Sequence, residues 1–284
     1  MPLPEHRLAF ESFGLCAEIV SDDLLLLERL AAALPPGWVA ADEAPAAARF
    51  GLMRDGSMII AGERAARAAD AGAGVDALES AIRLHIALHA PAFVFIHAGV
   101  VGIGGRAIVI PGASMSGKST LVAELVRAGA VYYSDEYAPV SADGLVHPYP
   151  RELTLRYDPG SGRAGVKLPV PRDQLGRAPI PGGLVLITSH KFGTPWQPVA
   201  CQPGEGALAL LEHTIPARTR SAQALSTIRR LVQHARVISG TRGDARQVAE
   251  ALLSTDLTLL VGCPHEFRPE ADRPQRGRAD RGAR

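Results

Sequence analysis

Gly112-Ala113-Ser114-Met115-Ser116-Gly117-Lys118-Ser119 fits the pattern G-x-x-x-x-G-K-[ST], and its flanks are those of a phosphate-binding loop. Before it, Ala107-Ile108-Val109-Ile110 is a short β-branched apolar run, which predicts a buried strand. After it, Leu121, Val122, Leu125 and Val126 recur at helical spacing until Gly129 marks the stop. Strand, glycine loop and helix in this order place a row of backbone N–H groups at a helix N-terminus, where the dipole favours an anion. The nucleotide-binding residues are therefore Gly112, Ala113, Ser114, Met115, Ser116, Gly117, Lys118, Ser119 and Thr120. Lys118 reaches the β- and γ-phosphates, and the Ser119 hydroxyl is placed to ligate Mg²⁺. With both flanks correct, a glycine turn that matches by chance is the weaker reading. The chain is expected to bind a nucleoside triphosphate.

Composition narrows the classes. Across 284 residues, 30 Lys and Arg against 29 Asp and Glu leave a net charge of +1, so no global field points to nucleic acid or an anionic membrane. Cys16, Cys201 and Cys263 are scattered without a C-x-x-C pair, which argues against a disulfide framework and a zinc site. No apolar run reaches the ~18 residues of a membrane span, and Met1 to His6 lacks a basic segment followed by an apolar one. A cytoplasmic protein with no membrane partner is expected.

Three regions follow. Residues 1–72 read as a small α+β module, with strands over Leu8–Cys16 and Phe50–Ile60. Between them an amphipathic helix over Asp22–Leu34 aligns Leu24, Leu27, Leu30 and Leu34, with Ser21 or Asp22 as its cap. Residues 73–263 read as an α/β catalytic domain. Its elements are a helix over Ala73–His89, strands Phe93–His97 and Val100–Ile103, a Gly104-Gly105 turn, the strand into the loop, and strands Val131–Tyr133 and Leu184–Ile187. Two closing helices, about Ala222–Ala235 and Ala245–Ser254, complete it. Residues 264–284 are rich in Arg, Pro and Gly and read as a disordered tail.

Phosphoryl transfer also needs carboxylates and cations. Asp135 and Glu136 end the strand that follows the loop's helix, the place where an open α/β sheet meets its ligand. Side-chain alternation sends the two acids to different sides unless the chain turns there. Together with Ser119 they are the candidate metal ligands, and one of them is the candidate base. His97, at a strand end just before the loop, can donate to a phosphate if neutral or stabilise it if charged. Arg151, Arg156 and Arg242 are candidate phosphate clamps, against a solvated-surface reading for any one of them. His85 and His89 share a helical face at i, i+4, but without the acid of H-E-x-x-H a packing role is favoured.

The run Ile96-His97-Ala98-Gly99-Val100-Val101, then Val109-Ile110-Pro111-Gly112 through Thr120, then Tyr133-Ser134-Asp135-Glu136, resembles the catalytic domain of HPr kinase/phosphorylase. It is closer still to the shorter HPr-kinase-related proteins, some of them encoded in lasso-peptide and other biosynthetic gene clusters. Tyr149-Pro150-Arg151 and Arg242-Gly243-Asp244-Ala245 add to that likeness, which spans about Ala73 to Leu260.

The resemblance implies a P-loop kinase core related to phosphoenolpyruvate carboxykinase and ATP- and Mg²⁺-dependent phosphorylation of a serine hydroxyl. It places His97 near the phosphates, Lys118 and Ser119 as loop lysine and metal ligand, and Asp135-Glu136 as the acidic pair. Two departures stand out. The family's second aspartate is here Glu136, and Arg177-Ala178-Pro179-Ile180-Pro181-Gly182-Gly183 lacks the signature glutamate. The missing glutamate weakens the case for HPr itself and for phosphorolysis. The expected acceptor is a serine hydroxyl of a protein or peptide, or a small hydroxyl metabolite; a homo-oligomer is left open. Catalytic roles fall to Asp135, Glu136, Lys118, His97 and Arg151. A non-catalytic ATP-responsive binding module and an acceptor-independent ATPase are the alternatives.

Overall fold

A computed structural model of the chain describes residues 5–45, 48–155 and 165–254. Arg156, Cys263 and the 264–284 tail lie outside these residues, as does the end of the 73–263 region. Among the described residues the chain is mixed α/β, with three sheets and six α-helices.

The first sheet has six strands in the order β3-β1-β2-β4-β5-β6. β1 (His6–Ser12) and β2 (Leu15–Ser21) form an antiparallel hairpin where the sequence suggested one strand over Leu8–Cys16. The turn is Phe13-Gly14, both at positive φ (53° and 75°), and the apolar alternation running through Phe13 hides it. α1 (Leu24–Ala32) then crosses to β4 (Arg49–Leu52), which pairs parallel to β2. Its cap is Asp23, whose side chain accepts from Leu26 N, rather than Ser21 or Asp22. Leu27, Leu30 and Leu34 are buried as expected and Leu26 joins them, whereas Leu24, at the first helical position, is exposed. β3 (Val39–Ala40), β5 (Met58–Ile60) and β6 (Glu63–Ala65) complete the sheet. α2 (Ala71–His89), capped by Asp70, buries Leu78, Ile82 and Ile86 in one apolar cluster with Phe10, Ile19 and Phe50 of this sheet. Phe95, Tyr137 and Tyr149 belong to the same cluster, so the two regions share a core.

The second sheet has eight strands. Its main path runs β11-β10-β7-β8-β14-β16-β15, and β9 also pairs with β7. β7 (Phe93–Ile103) is one continuous strand rather than two, and it turns at Gly104-Gly105 into β8 (Arg106–Pro111). β8, β14 (Ile180–His190) and β16 (Arg236–Arg242) are parallel, so their three C-terminal loops open at one end of the sheet. Residues alternate between the two faces as a strand requires. Ile108 and Ile110 pack with Leu121, Val122 and Leu125 of α3 (Lys118–Arg127) and with Val248 and Leu252 of α6 (Ala245–Ser254). Ala107 and Val109 pack with Leu210 of α4 (Pro203–Glu212) and with Ile228 and Leu231 of α5 (Ser221–Val232). The sheet is thus covered on both faces.

α4, β15 (Val199–Cys201) and β16 carry no strong pattern in the sequence: α4 is short and begins at a proline, and the strands mix polar with apolar residues. β9 (Val131–Ser134) and β10 (Tyr137–Ser141) lie end to end along β7, and β10 turns through Ala142–Gly144 into β11 (Leu145–Val146). β12 (Leu153–Leu155) and β13 (Val166–Leu168) form a small separate hairpin.

Candidate functional site

The loop between β8 and α3 has the backbone needed to wrap an anion. Gly117 caps α3 with φ of 83°, and no side chain satisfies the first N–H groups of that helix. A Cβ at Gly117 would overlap Arg242 Nη2, so glycine is required there on two grounds. A Cβ at Gly112 would lie 2.8 Å from Ser116 Oγ, and that hydroxyl is buried without a partner. Met115 also takes a positive φ of 65° and leaves its side chain largely exposed. Lys118 is buried, and its ammonium donates to Gly112 O at 2.8 Å and Ala113 O at 2.7 Å. Burial lowers its pKa to about 8, with Asp135 and Glu136 opposing the fall.

Facing the loop, Asp135 and Glu136 occupy the break between β9 and β10. Ser134 makes that break: its Oγ accepts from the N–H groups of Glu136 and Tyr137, both at 3.1 Å, and draws the chain out of the straight strand. The two acids then meet different partners. Tyr132 OH donates to Asp135 at 3.0 Å, and the Ser119 side chain lies close enough to lower its pKa. Burial raises the pKa of Asp135 despite both, and the neighbouring Glu136 adds to the rise. Glu136 instead takes Arg151 Nη1 on Oε2 and Arg83 Nη2, at 3.4 Å, on Oε1. Arg151 and Arg83 each also pair with Glu79, Arg83 at 2.5 Å. Four residues therefore close a ring of alternating charge, anchored on α2 and on Tyr149, which is buried two residues before Arg151.

One cavity of about 160 Å³ gathers these groups. Lys118, Ser119, Thr120, Ser114, Met115 and Gly117 line one wall. His97, Asp135, Glu136 and Arg151 line the other, with Glu152 and Thr154 at the edge. Every residue assigned a catalytic role from the sequence is thus present. Of the nucleotide-binding set, Gly112, Ala113 and Ser116 do not line this cavity; they line a neighbouring one beside His213. His97 is half-buried, and burial next to Lys118 lowers its pKa to about 4, so its ring is neutral at neutral pH.

Arg242 is not at the surface. It is 2% exposed, donates from Nη2 to Gly117 O at 2.7 Å, and has a buried Nε with no partner. His85 packs edge-on to Phe50 with ring centroids 5.3 Å apart and sits beside His89 at 4.6 Å. Among the described residues no three His, Cys, Asp or Glu side chains cluster as a metal cage, and no helix is long and apolar enough to cross a membrane. Glu79, Arg83, Tyr132 and Ser134 escape a reading of the sequence. Only the Glu79–Arg83 spacing of i, i+4 on a predicted helix offers a signal. No protein-family model matches the chain, and no curated protein sequence matches it.

Proposed function

We propose that the protein is an ATP-dependent kinase with a P-loop core of the HPr-kinase type, transferring a γ-phosphoryl group to a hydroxyl, most readily serine, of a protein, peptide or small metabolite. The observation that carries this reading is the meeting, in one cavity, of a glycine loop and its buried lysine with Ser119 and a desolvated aspartate. The Ser119 hydroxyl suits Mg²⁺: it is a hard oxygen, and magnesium takes few protein ligands when phosphates supply the rest. When bound, the ion neutralises charge on the phosphates.

The chain's own groups divide the remaining work. The N–H groups at the start of α3 and the Lys118 ammonium hold the β- and γ-phosphates. The acceptor oxygen attacks the γ-phosphorus in line, the bond to the β–γ bridging oxygen breaks, and ADP leaves with the electron pair. Asp135 takes the acceptor's proton, as the acid in the cavity that no cationic side chain holds in an ion pair among the described residues. Glu136, clasped by two guanidinium groups, serves to hold Arg151 at the cavity wall rather than to accept a proton. The neutral His97 ring contributes a hydrogen bond, not a charge.

ADP release is measured with ATP and Mg²⁺, with and without a desalted lysate of the source cell, against Lys118→Ala. Release that needs the lysate and is lost in the variant supports the kinase. Steady release from protein and Mg²⁺–ATP alone replaces it with an ATPase. Tight ATP binding with no release under either condition replaces it with a binding module.

A further inference from the structure

The phosphate cavity holds about 160 Å³, well under the ~300–1,000 Å³ of sites that enclose a whole small molecule. Gly117 and Thr120 also line a second cavity of about 740 Å³ on the far side of the α3 N-terminus. The loops after all three parallel strands reach this second cavity: Gly117 follows β8, Phe192 to Thr194 follow β14, and Gly243 and Asp244 follow β16. The crevice outside the carboxyl ends of parallel strands is where α/β sheets bind ligands.

Three features say what fits there. Arg242, which lines the second cavity and is bonded to Gly117, is a buried guanidinium with an unpartnered Nε and no salt bridge within 4 Å among the described residues. The Asp244 carboxylate offsets that burial only in part, and an anion beside Gly117 would relieve the cost that remains. Phe192 lies 94% exposed at the mouth on a short turn, which Lys191 N ties to Arg242 O at 2.8 Å. Such a ring is an unoccupied stacking surface. The other charged side chains of the lining, Glu124 and Asp244, are carboxylates, so the cavity beyond Arg242 does not favour further phosphate. It favours a planar, hydrogen-bonding end with donors of its own.

We propose that the second cavity receives the base and ribose of the nucleotide whose terminal phosphates occupy the loop, with Arg242 facing the α-phosphate and Phe192 stacking on the base. The assignment rests on the phosphoryl-donor reading above and extends it to the donor's nucleoside end. It makes Arg242 a nucleotide-binding residue and Phe192 the side chain that tells a nucleotide from a bare triphosphate.

The test is calorimetric titration of the full chain, with Mg²⁺, by ATP, by GTP and by methyl triphosphate, which carries the same charge without a nucleoside. The better nucleotide is expected to bind on the order of tenfold tighter than methyl triphosphate, the size of one base–aromatic stack. Phe192→Ala, a change at an exposed position, is expected to erase most of that advantage and leave methyl triphosphate affinity unchanged. Phe192→Tyr is expected to keep the advantage. Equal affinities in the unaltered protein, or an advantage that survives Phe192→Ala, overturn the nucleoside site while leaving the phosphate loop standing. If neither nucleotide nor methyl triphosphate binds, the phosphate-loop reading itself falls and the nucleoside site falls with it.

Discussion

The two walls of the phosphate cavity are built in opposite ways. The loop wall comes from one uninterrupted stretch, Gly112 to Thr120, and its positive character resides in backbone N–H groups and one lysine. The facing wall is assembled from α2, β7, the β9–β10 break and the Tyr149–Arg151 segment, and its charges largely cancel in the Glu79–Arg83–Glu136–Arg151 ring. On the proposed reading, a wall with a net field attracts the phosphates. A wall whose charges are already paired holds geometry and leaves one acid, Asp135, outside the ring as the proposed base. Binding and chemistry should therefore separate when the walls are altered one at a time.

The largest effect is expected from the loop wall. Lys118→Ala should lower turnover by about 10³-fold, the scale of removing a transition-state donor, and should weaken nucleotide binding as well, as titration would show. On the facing wall, Asp135→Asn should lower kcat by about 10²- to 10⁴-fold, the range of general base catalysis, with ATP affinity nearly intact. Equal losses of kcat and affinity in Asp135→Asn would erase the contrast between the walls.

Breaking the ring should show first as instability. Arg83→Ala leaves two carboxylates sharing one arginine and should cost about 2–3 kcal/mol in denaturant unfolding, below the figure for a fully buried pair because both acids are partly exposed. Arg246→Ala, which removes an exposed helical pair with Glu250, should leave the unfolding midpoint where it was. Between these lies a pH effect at His97. Its pKa is lowered from 6.5 to about 4 in the folded chain, so the unfolded chain binds the extra proton first. Its contribution to stability is complete above pH 6.5 and is lost as pH falls toward about 4. An NMR titration of the ring should find that midpoint, and His97→Gln should flatten this part of the stability–pH curve.

The legible parts of the chain were those whose physics is local. The strand–loop–helix unit, the Gly104-Gly105 turn, the α6 span and the apolar alternation of β8 all follow from spacing within a dozen residues. The acids at the end of β9 were legible for the same reason, though their division of labour was not. It depends on Ser134 bending the chain and on Tyr132 and Arg83 arriving from either side. The Phe13-Gly14 turn was hidden because apolar alternation continued through it.

By itself the sequence determined a strand, a glycine loop and a helix that starts at Lys118, because a glycine that tolerates positive φ, a lysine and a helix start act within a few bonds of one another. Only the tertiary structure decided which charges are buried and with whom. Arg242 stands 125 residues from Gly117 and Arg151 stands 72 from Glu79. No local spacing encodes such meetings; they arise where parallel strands deliver distant loops to one end of a sheet. Burial there decides for Arg242 what the sequence left open between phosphate clamp and solvated surface charge: the guanidinium is enclosed, with an Nε that has no partner.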